Sequence, residues 1–461
     1  MAQARDRIDE AIAKAERGDF AKARTLSRDL GRIPATHAGL AVLAALAFAD
    51  GNAILALRFL DRAAVSRNPD AHYGRAVALA ALGRHDEAMA ALTLCLASAP
   101  GHGPALTNLG ALLQTAGHMD EAERTYERAL TAEPANPVVL DNLAGLCLGQ
   151  GRFSEAEAFA RRALALRPAH ATYLRLADIL CGHGRFGEGE TTLLEGLAQT
   201  PRSAPLWRAL GHARKALGRA DDAIAAFRTA LDSDPGDGES RHMIDSLSGI
   251  NSPRAPAEYV RGLFDSYADR FEDHLINKVN YSAPQRLRAF YDRVAGGAPL
   301  GSTVDLGCGT GLTAEAFKEV ATRLIGIDLA PRMLQLAAKR NVYADLHQGE
   351  VVDVLATLRG LSAVIATDLF IYIGDLDQIF AAASHALDPE GWFLFSTETA
   401  EGDGWQLRPT GRYAQSRGYI DQLATAHGFG ITACEHGPIR GSREGDIFGD
   451  YWILRKGPEQ P

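Results

Sequence analysis

The chain has few of the residues that would mark a disulfide-rich, metal-binding or membrane-spanning protein. Its 461 residues include only five cysteines, which are widely separated and form no Cys-x-x-Cys pair. This spacing indicates neither a disulfide framework nor a structural zinc site, and no His-Glu-x-x-His motif occurs, so we predict no metal. No run of residues approaches the roughly 20 apolar positions that a membrane helix needs.

Positively charged residues are also fewer than negatively charged ones. The 48 Lys and Arg residues against 57 Asp and Glu give a formal net charge of −9, so we expect no nucleic-acid partner. The first residues contain no apolar secretory core, which predicts a cytoplasmic protein without membrane association. The composition is 46% hydrophobic and 23% charged, as in globular proteins, and the length predicts two or three domains.

Prolines recur at a nearly constant interval in the first half of the chain. The intervals are 34, 34, 33 and 34 residues, between Pro100, Pro134, Pro168, Pro201 and Pro235. A small residue lies twelve positions before each proline: Ala88, Ala122, Ala156, Gly189 and Ala223. Together with the residues of Leu206–Pro235, this period resembles the tetratricopeptide repeat, a helix-turn-helix unit that stacks into a solenoid. We predict five clear repeats, weaker copies at 18–30 and 51–64 (six to seven repeats in all), and a capping helix at 238–249.

Such a solenoid exposes a concave groove, in which we predict a protein or peptide partner. Asn108 and Asn142 occupy equivalent repeat positions, and an asparagine amide can pair with a peptide backbone because it both donates and accepts. This resembles the asparagine ladder in the repeats of O-linked N-acetylglucosamine transferase, although Gly74, Arg175 and Ala209 occupy the other equivalent positions. The alternative is that both asparagines are polar side chains facing solvent.

The pattern changes in the second half, where short β-rich runs alternate with helical segments. This predicts an α/β domain with a parallel sheet, so that the whole chain is α + α/β. We place the boundary near residue 252, between a repeat domain over 1–250 and a second domain over 251–461, with 249–256 as the linker. The predicted strands are 302–307, 323–328, 343–347, 363–367, 391–397, 430–435 and 450–455. The last two are joined directly, which predicts an antiparallel edge strand.

The strongest chemical signal is a glycine-rich loop. The segment 304–311 reads VDLGCGTG, follows the first predicted strand and precedes a helix. Glycines permit a tight turn in which backbone N–H groups closely approach a ligand. The GxGxG spacing differs from the GxGxxG of nicotinamide-dependent dehydrogenases, the less favoured alternative. Asp328 ends the second predicted strand, where a carboxylate can accept both hydroxyls of a ribose.

With these motifs, residues 259–456 resemble the class I S-adenosylmethionine-dependent methyltransferases. More narrowly, the segments YVRGLFDSYADRFEDHLINKVNYSAP, TDLFIYIGDL and GRYAQSRGYIDQLA resemble bacterial predicted methyltransferases that carry tetratricopeptide repeats. The resemblance implies a Rossmann-like seven-stranded domain that binds S-adenosyl-L-methionine and releases S-adenosyl-L-homocysteine. The cofactor-binding residues that it implies are Tyr267, Tyr281, Asp305, Gly307, Cys308, Gly309, Gly311, Asp328, Leu329, Glu350, Asp368 and Leu369.

Several of these assignments have alternatives. Glu350 is expected near the adenine amino group, although Asp353 is an alternative for that place. Tyr267 and Tyr281 are expected as partial walls of the pocket. The alternative is that they pack the leading helix on the sheet, together with Phe264 and Phe271. We interpret Cys308 as a small buried residue of the loop and not as a nucleophile, because no histidine is near it in sequence.

A general base is needed only if the methyl acceptor arrives protonated. The candidates are His274 and Asp368, and Tyr372 is expected to line the acceptor pocket. The strand before Asp368 is not followed by the Asn/Asp-Pro-Pro-aromatic motif of many amino methyltransferases, which disfavours amine or amide acceptors.

The segment 401–421 is rich in Gly, Arg and Tyr, and loops at this place in the fold commonly carry specificity. We predict that the acceptor is bound by Arg412, Tyr413, Ser416 and Tyr419. The alternative is that 416–428 is an amphipathic helix with Tyr419 packed beneath it.

Overall, the sequence predicts an S-adenosylmethionine-dependent methyltransferase whose repeats recruit a protein, a carrier-bound substrate or an assembly partner. One alternative is a repeat scaffold whose cofactor domain is regulatory or inactive. Another is an O-methyltransferase of a small molecule, with repeats that serve only assembly.

Overall fold

The structure is a computed structural model, and it describes residues 44, 51, 53–63, 68–273, 275, 281–442 and 445–458. It divides into two compact units, residues 1–201 and 202–461. The weak repeat predicted at 18–30 and the candidate base His274 lie outside the described residues. In the part of the chain that is described, no helix has the length and apolar character needed to cross a bilayer.

The first unit is built from helices in its described residues. They are α1 (Ala53–Ala63), α2 (Pro69–Ala81), α3 (His85–Ser98), α4 (Gly103–Thr115), α5 (Met119–Ala132), α6 (Pro137–Gly149), α7 (Phe153–Leu166), α8 (His170–Gly182) and α9 (Phe186–Gln199). From α2 onward consecutive helices form four hairpins, one for each of the first four clear repeats. The predicted tetratricopeptide pattern is confirmed for these hairpins.

Two residue types at fixed places explain the helix ends. Gly83 and Gly117 follow first helices with φ of +73° and +85°, a left-handed conformation that closes a helix and that glycine adopts without strain. Each second helix ends two residues before a periodic proline, because proline disfavours the helical conformation in the residue before it. Ala99, before Pro100, accordingly has φ −138° and ψ 80°.

The two helices of a hairpin approach closely where one side carries glycine. In the α4–α5 pair, a Cβ atom added to Gly110 would lie 2.5 Å from Cε1 of Tyr126, whose side chain is fully buried. The contact leaves no room for a larger residue. Glycine at position 110 is therefore a packing requirement of this hairpin.

We predict that Gly110→Ala destabilises the protein by about 1–3 kcal/mol, because the added methyl group overpacks the Tyr126 contact. Gly187→Ala is the matched control, since a Cβ atom there meets nothing within 4 Å. It should be neutral or stabilising by up to about 1 kcal/mol, because alanine favours helix. Urea unfolding followed by circular dichroism measures both, and equal midpoints for the two variants would contradict the packing argument.

The second unit begins with α10 (Ala204–Ala216), α11 (Ala220–Ser233) and α12 (Gly238–Ser248), which are the fifth predicted hairpin and the predicted capping helix. The later helices are α13 (Ala257–Asp273), α14 (Ala283–Ala295), α15 (Leu312–Phe317), α16 (Pro331–Lys339), α17 (Val351–Leu355), α18 (Asp377–Ala386) and α19 (Arg417–Ala426), with a 3-10 turn at Phe370–Tyr372. The strands are β1 (Leu300–Leu306), β2 (Ala321–Asp328), β3 (Asp345–Gln348), β4 (Leu361–Ala366), β5 (Leu387–Glu398), β6 (Trp405–Leu407), β7 (Tyr413–Gln415), β8 (Phe429–Ser442) and β9 (Gly445–Lys456).

Seven of these strands form one sheet in the order β3-β2-β1-β4-β5-β9-β8. Strands β1 to β5 pair in parallel, whereas β9 is antiparallel to both β5 and β8. The order reverses between β1 and β4, and ligands of open α/β sheets bind at the carboxyl ends of strands at such a point. The predicted seven-stranded Rossmann-like fold is confirmed.

The predicted antiparallel edge strand is present, since β8 pairs antiparallel with β9 at the edge of the sheet. The antiparallel strand β9 lies inside the sheet, and β8 forms the edge. Six consecutive residues of β9, 449 to 454, are buried, as expected of a strand inside a sheet that is covered on both faces.

The sequence prediction also missed a small second sheet. Strands β6 and β7 pair as an antiparallel hairpin of three residues each, closed by a turn in which Gly411 has φ +83°. Strands this short carry no readable alternation of polar and apolar residues, which is why the segment resembles a loop in sequence.

Candidate functional site

A cavity of about 470 Å³ lies at the carboxyl ends of β1, β2 and β4. Its wall is formed by the glycine-rich loop after β1, the ends of β2 and β4, helix α13 and the turn between β6 and β7. Predicted site residues on this wall are Tyr267, Tyr281, Gly307, Cys308, Gly309, Asp328, Leu329, Glu350, Asp368, Leu369, Tyr372 and Arg412. The fold thus brings most of the predicted cofactor residues to one cavity.

The glycine-rich loop needs glycine for backbone conformation and for space. Gly307, Gly309 and Gly311 have φ of +64°, +53° and +94°. A Cβ atom on Gly307 would also lie 2.8 Å from Cδ1 of Leu369. Gly307 and Gly309 line the cavity, whereas Gly311 caps the start of α15.

Asp328 ties this loop to the end of β2. Its Oδ2 accepts a hydrogen bond from the Gly309 N–H at 2.8 Å, and its Oδ1 accepts one from the Ala330 N–H at 2.8 Å. Burial raises the pKa of Asp328, and these two N–H donors act against that rise. A carboxylate has about four acceptor positions, so the side chain keeps capacity for further donors.

Asp305 lies beneath the loop and does not reach the cavity wall. The side chain is 1% exposed, and its Oδ2 accepts a hydrogen bond from the Tyr343 hydroxyl at 2.7 Å. Its Oδ1 has no hydrogen-bond partner among the described residues. Burial raises the pKa of Asp305 to about 7, because the Tyr343 hydrogen bond only partly offsets the loss of solvation.

Cys308 is a buried thiol in the floor of the loop. Burial raises its pKa well above the ordinary value, so the thiolate needed of a nucleophile is disfavoured. A Cβ atom on Gly326 of the neighbouring strand would lie 2.9 Å from its sulfur, which agrees with a packing role.

The aromatic residues of the leading segment both pack and line the cavity. Phe264, Tyr267, Phe271 and Tyr281 are all on the wall. The rings of Phe264 and Phe271 make an edge contact at 5.7 Å, and that of Phe264 makes another with Tyr372 at 5.5 Å. Burial raises the pKa of Tyr372 to about 12, so its phenol stays protonated and can donate a hydrogen bond.

Asp368 has a strained backbone conformation, and its carboxylate is paired with an arginine. It has φ +54°, an uncommon conformation for a residue with a side chain, and its N–H donates to Ser396 Oγ at 3.0 Å. Its carboxylate accepts from Arg440, which is 5% exposed and also pairs with the buried Glu398. Glu398 accepts in turn from Arg408 at 3.0 Å. Alternating charges therefore connect the cavity wall to the β6–β7 hairpin.

Glu350 lines the cavity at the start of α17, and Arg254 lies 4.0 Å from its carboxylate. The alternative residue Asp353 is exposed on that helix and does not line the cavity. Arg254 belongs to the stretch predicted as a linker. That stretch is bonded to the segment after β4, since the Pro253 carbonyl accepts from the N–H groups of Gly374 and Asp375, each at 2.9 Å.

Of the four predicted acceptor residues, only Arg412 is on the wall. Tyr413 is fully buried, with its hydroxyl 3.2 Å from Ser252 Oγ. Ser416 caps α19 by accepting from the Tyr419 N–H at 3.1 Å. The Tyr419 hydroxyl accepts from the Leu376 N–H at 2.9 Å, beside the sheet core. The last three side chains hold the structure around the cavity.

Sequence reasoning missed Arg440, which is on the cavity wall. In β8, Cys434 and His436 are exposed, and simple alternation would place Arg440 on the same face. The strand register shifts between Pro438 and Arg440, and this irregularity turns the arginine inward. A bulge of this kind leaves no signal in one sequence.

The predicted groove residues Asn108 and Asn142 are half-buried on α4 and α6. Asn108 Nδ2 lies 3.5 Å from the Tyr73 hydroxyl, at the limit of a hydrogen bond. At the next equivalent position, Arg175 pairs with Asp141 at 3.1 Å. Peptide binding by the two asparagines remains a prediction.

Comparison with known families agrees with both parts of the fold. A family described as "Methyltransferase domain" matches residues 303–391. Families described as "Tetratricopeptide repeat" match residues 38–102, 79–146, 113–173, 148–215 and 204–237. The chain therefore combines tetratricopeptide repeats with a domain of the methyltransferase family.

Individual relatives are more distant. The malonyl-[acyl-carrier protein] O-methyltransferase of Serratia marcescens is 28% identical over 128 residues, which are 27% of this chain and 50% of that protein. The ubiquinone biosynthesis O-methyltransferase of Chromobacterium violaceum is 30% identical over 113 residues, 23% of this chain and 49% of that protein. The chain thus spans about half the length of these curated relatives.

Among solved structures, the chain is similar to the Burkholderia thailandensis 1,6-didemethyltoxoflavin-N1-methyltransferase, which holds 1,6-didemethyltoxoflavin and S-adenosylhomocysteine. The TM-score is 0.36 at 19% identity, over 45% of this chain and 94% of that one.

We predict that Asp305→Asn removes a pH dependence of stability. The pKa of Asp305 is about 7 in the folded protein and near 3.8 when unfolded, so the folded state holds its proton more tightly. Its contribution to the free energy of unfolding therefore falls as pH rises from about 4 to about 7, by up to about 1.4 kcal/mol per pH unit. An amide cannot ionise, and the variant should lack this decline.

The measurement is urea unfolding at several pH values between 4 and 8. Asp353→Asn on the exposed face of α17 is the control and should keep the wild-type pH profile. A wild-type profile in Asp305→Asn would refute the assignment.

Proposed function

We propose that the chain is an S-adenosylmethionine-dependent methyltransferase that acts on an oxygen of its acceptor. The observation that carries the proposal is the convergence of the glycine-rich loop, Asp328 and the residues after β3 and β4 on one cavity. The acceptor atom is proposed from the names of the relatives, since both curated proteins described above are O-methyltransferases.

The residues present suit this cofactor. Gly307 and Gly309 leave space for a ligand to approach the loop backbone, where a Cβ atom on Gly307 would meet Leu369. Asp328 keeps acceptor positions for ribose hydroxyls. Leu329 and Glu350 line the same cavity, which supports our proposal that they flank the adenine.

When bound, S-adenosylmethionine supplies a methyl group already activated on a sulfonium, so the protein's task is alignment and exclusion of water. The half-buried rings of Tyr267, Phe271 and Tyr281 shield the cavity. The protonated phenol of Tyr372 can donate a hydrogen bond to the acceptor.

A free general base is absent from the described part of the cavity wall. Its three carboxylates are Asp328, bonded to backbone N–H groups, Glu350, near Arg254, and Asp368, paired with Arg440. We therefore infer that Asp368 orients the wall and does not remove a proton. An acceptor that arrives deprotonated suits this cavity, because it needs no base.

We propose that the repeats recruit the acceptor or its carrier through the groove that contains Asn108 and Asn142. The support is the repeated asparagine position on α4 and α6, where the amides are partly accessible. The competing function, an enzyme for a freely diffusing small molecule, makes these residues irrelevant to turnover.

We predict that Asp328→Ala weakens binding of S-adenosylhomocysteine by about 1–3 kcal/mol, or about five- to 150-fold, through loss of charged hydrogen bonds. Calorimetry with purified full-length protein measures the affinity, and circular dichroism checks that the variant is folded. Asp353→Ala is the control and should bind as the wild type does. Equal affinities for the two variants would remove Asp328 from the cofactor site.

We predict that Asn108→Ala combined with Asn142→Ala lowers transfer of labelled methyl groups to macromolecules of a cell lysate about tenfold, because the groove loses hydrogen bonds to the recruited chain. The control combines Thr93→Ala with Thr131→Ala, two exposed positions on second helices. Label found only in small molecules, and unaffected by the asparagine changes, would favour the competing function.

A further inference from the structure

All but one of the charged side chains on the described cavity wall have a polar or charged partner. The charged side chains on its described wall are Arg254, Asp328, Glu350, Asp368, Arg412 and Arg440. Glu350 lies near Arg254, and Asp368 pairs with Arg440. Asp328 is satisfied by backbone N–H groups. The guanidinium of Arg412 alone has neither an ion pair nor a hydrogen bond, within the part of the chain that the structure describes.

Specific hydrogen bonds hold the turn that carries Arg412. It lies in the turn of the β6–β7 hairpin, where the Arg408 N–H donates to the Arg412 carbonyl at 2.9 Å. Helix α12 holds this turn, because Ser246 Oγ donates to the Arg408 carbonyl at 2.7 Å and His242 Nε2 lies 2.8 Å from the Gly411 carbonyl. His242 and Ser246 are each at most 2% exposed.

On its other side the hairpin is bonded to the segment after β4. Gln415 Nε2 donates to the carbonyls of Phe370 at 3.1 Å and Ile373 at 2.8 Å. Arg412 and Tyr372 both line the cavity, and the Arg412 charge opposes the rise in the pKa of Tyr372 that burial causes. The turn that carries Arg412 is thus held next to the segment that carries Tyr372.

Apolar side chains also line the cavity, among them Val260, Leu263, Phe264 and Ile373. A permanently charged guanidinium beside apolar side chains costs solvation unless an anion pairs with it. The surroundings therefore favour a ligand that joins an apolar body to an anionic group.

We propose that the methyl acceptor is an organic acid with an apolar body, bound as its anion through Arg412. This inference rests on the proposed function. Arg412 is then the residue that selects the acceptor by charge.

The test uses full-length protein saturated with S-adenosylhomocysteine and two probes of equal length, octanoate and its neutral counterpart octanamide. We expect octanoate to bind about tenfold or more tightly than octanamide in calorimetric titrations, as expected for a charge-assisted contact. Arg412→Gln should abolish this preference, and Arg412→Lys should retain part of it. The control Arg261→Gln changes an exposed arginine outside the cavity and should leave the preference intact.

The two proposals fail in different ways. No binding of S-adenosylhomocysteine to the wild type would overturn the proposed function. Normal binding of S-adenosylhomocysteine, with octanoate and octanamide bound equally or not at all, would overturn only the acid acceptor. A loss of S-adenosylhomocysteine affinity in Arg412→Gln, with the octanoate preference unchanged, would also overturn it and place Arg412 at the cofactor.

Discussion

The site depends on the bond between the Asp328 carboxylate and the Gly309 N–H at 2.8 Å. It fixes the end of β2 against the loop after β1, and β1 is one of the two strands between which the strand order reverses. A loop of three left-handed glycines is otherwise costly to order, because glycine loses the most conformational freedom on folding. The buried carboxylate supplies the compensating interaction, and the loop then presents its backbone to the cavity.

A second constraint is the charge chain from Asp368 through Arg440 and Glu398 to Arg408. Removing either of its two buried members, Arg440 or Glu398, leaves an uncompensated charge, which costs about 3–5 kcal/mol. The chain joins the segment after β4, the bulged strand β8 and the β6–β7 hairpin. Because α12 holds the same hairpin, the last repeat elements help to shape the cavity wall. In the second unit, the helices that end the repeats and the methyltransferase fold form one compact body.

Much of the fold was predictable from sequence because its signals are local. The proline and glycine periods specify where helices end, and the alternation of β-rich and helical runs specifies the sheet. The loop glycines and Asp328 were predictable for the same reason, since a strand-turn-helix motif carries its own conformational requirements. Tyr413, Ser416 and Tyr419 were predicted at the acceptor, but their side chains satisfy buried backbone and hydroxyl groups around the cavity.

The sequence by itself determined the two kinds of fold, the repeat register and the residues of the glycine-rich loop. Only the tertiary structure decided that β9 lies inside the sheet, that a bulge turns Arg440 inward and that the short β6–β7 hairpin carries Arg412 to the cavity. The physical reason is the distance along the chain over which the interactions act. Helix ends and tight turns depend on neighbouring residues, whereas strand order, inward rotation at a bulge and the pairing of charges depend on segments far apart in the chain.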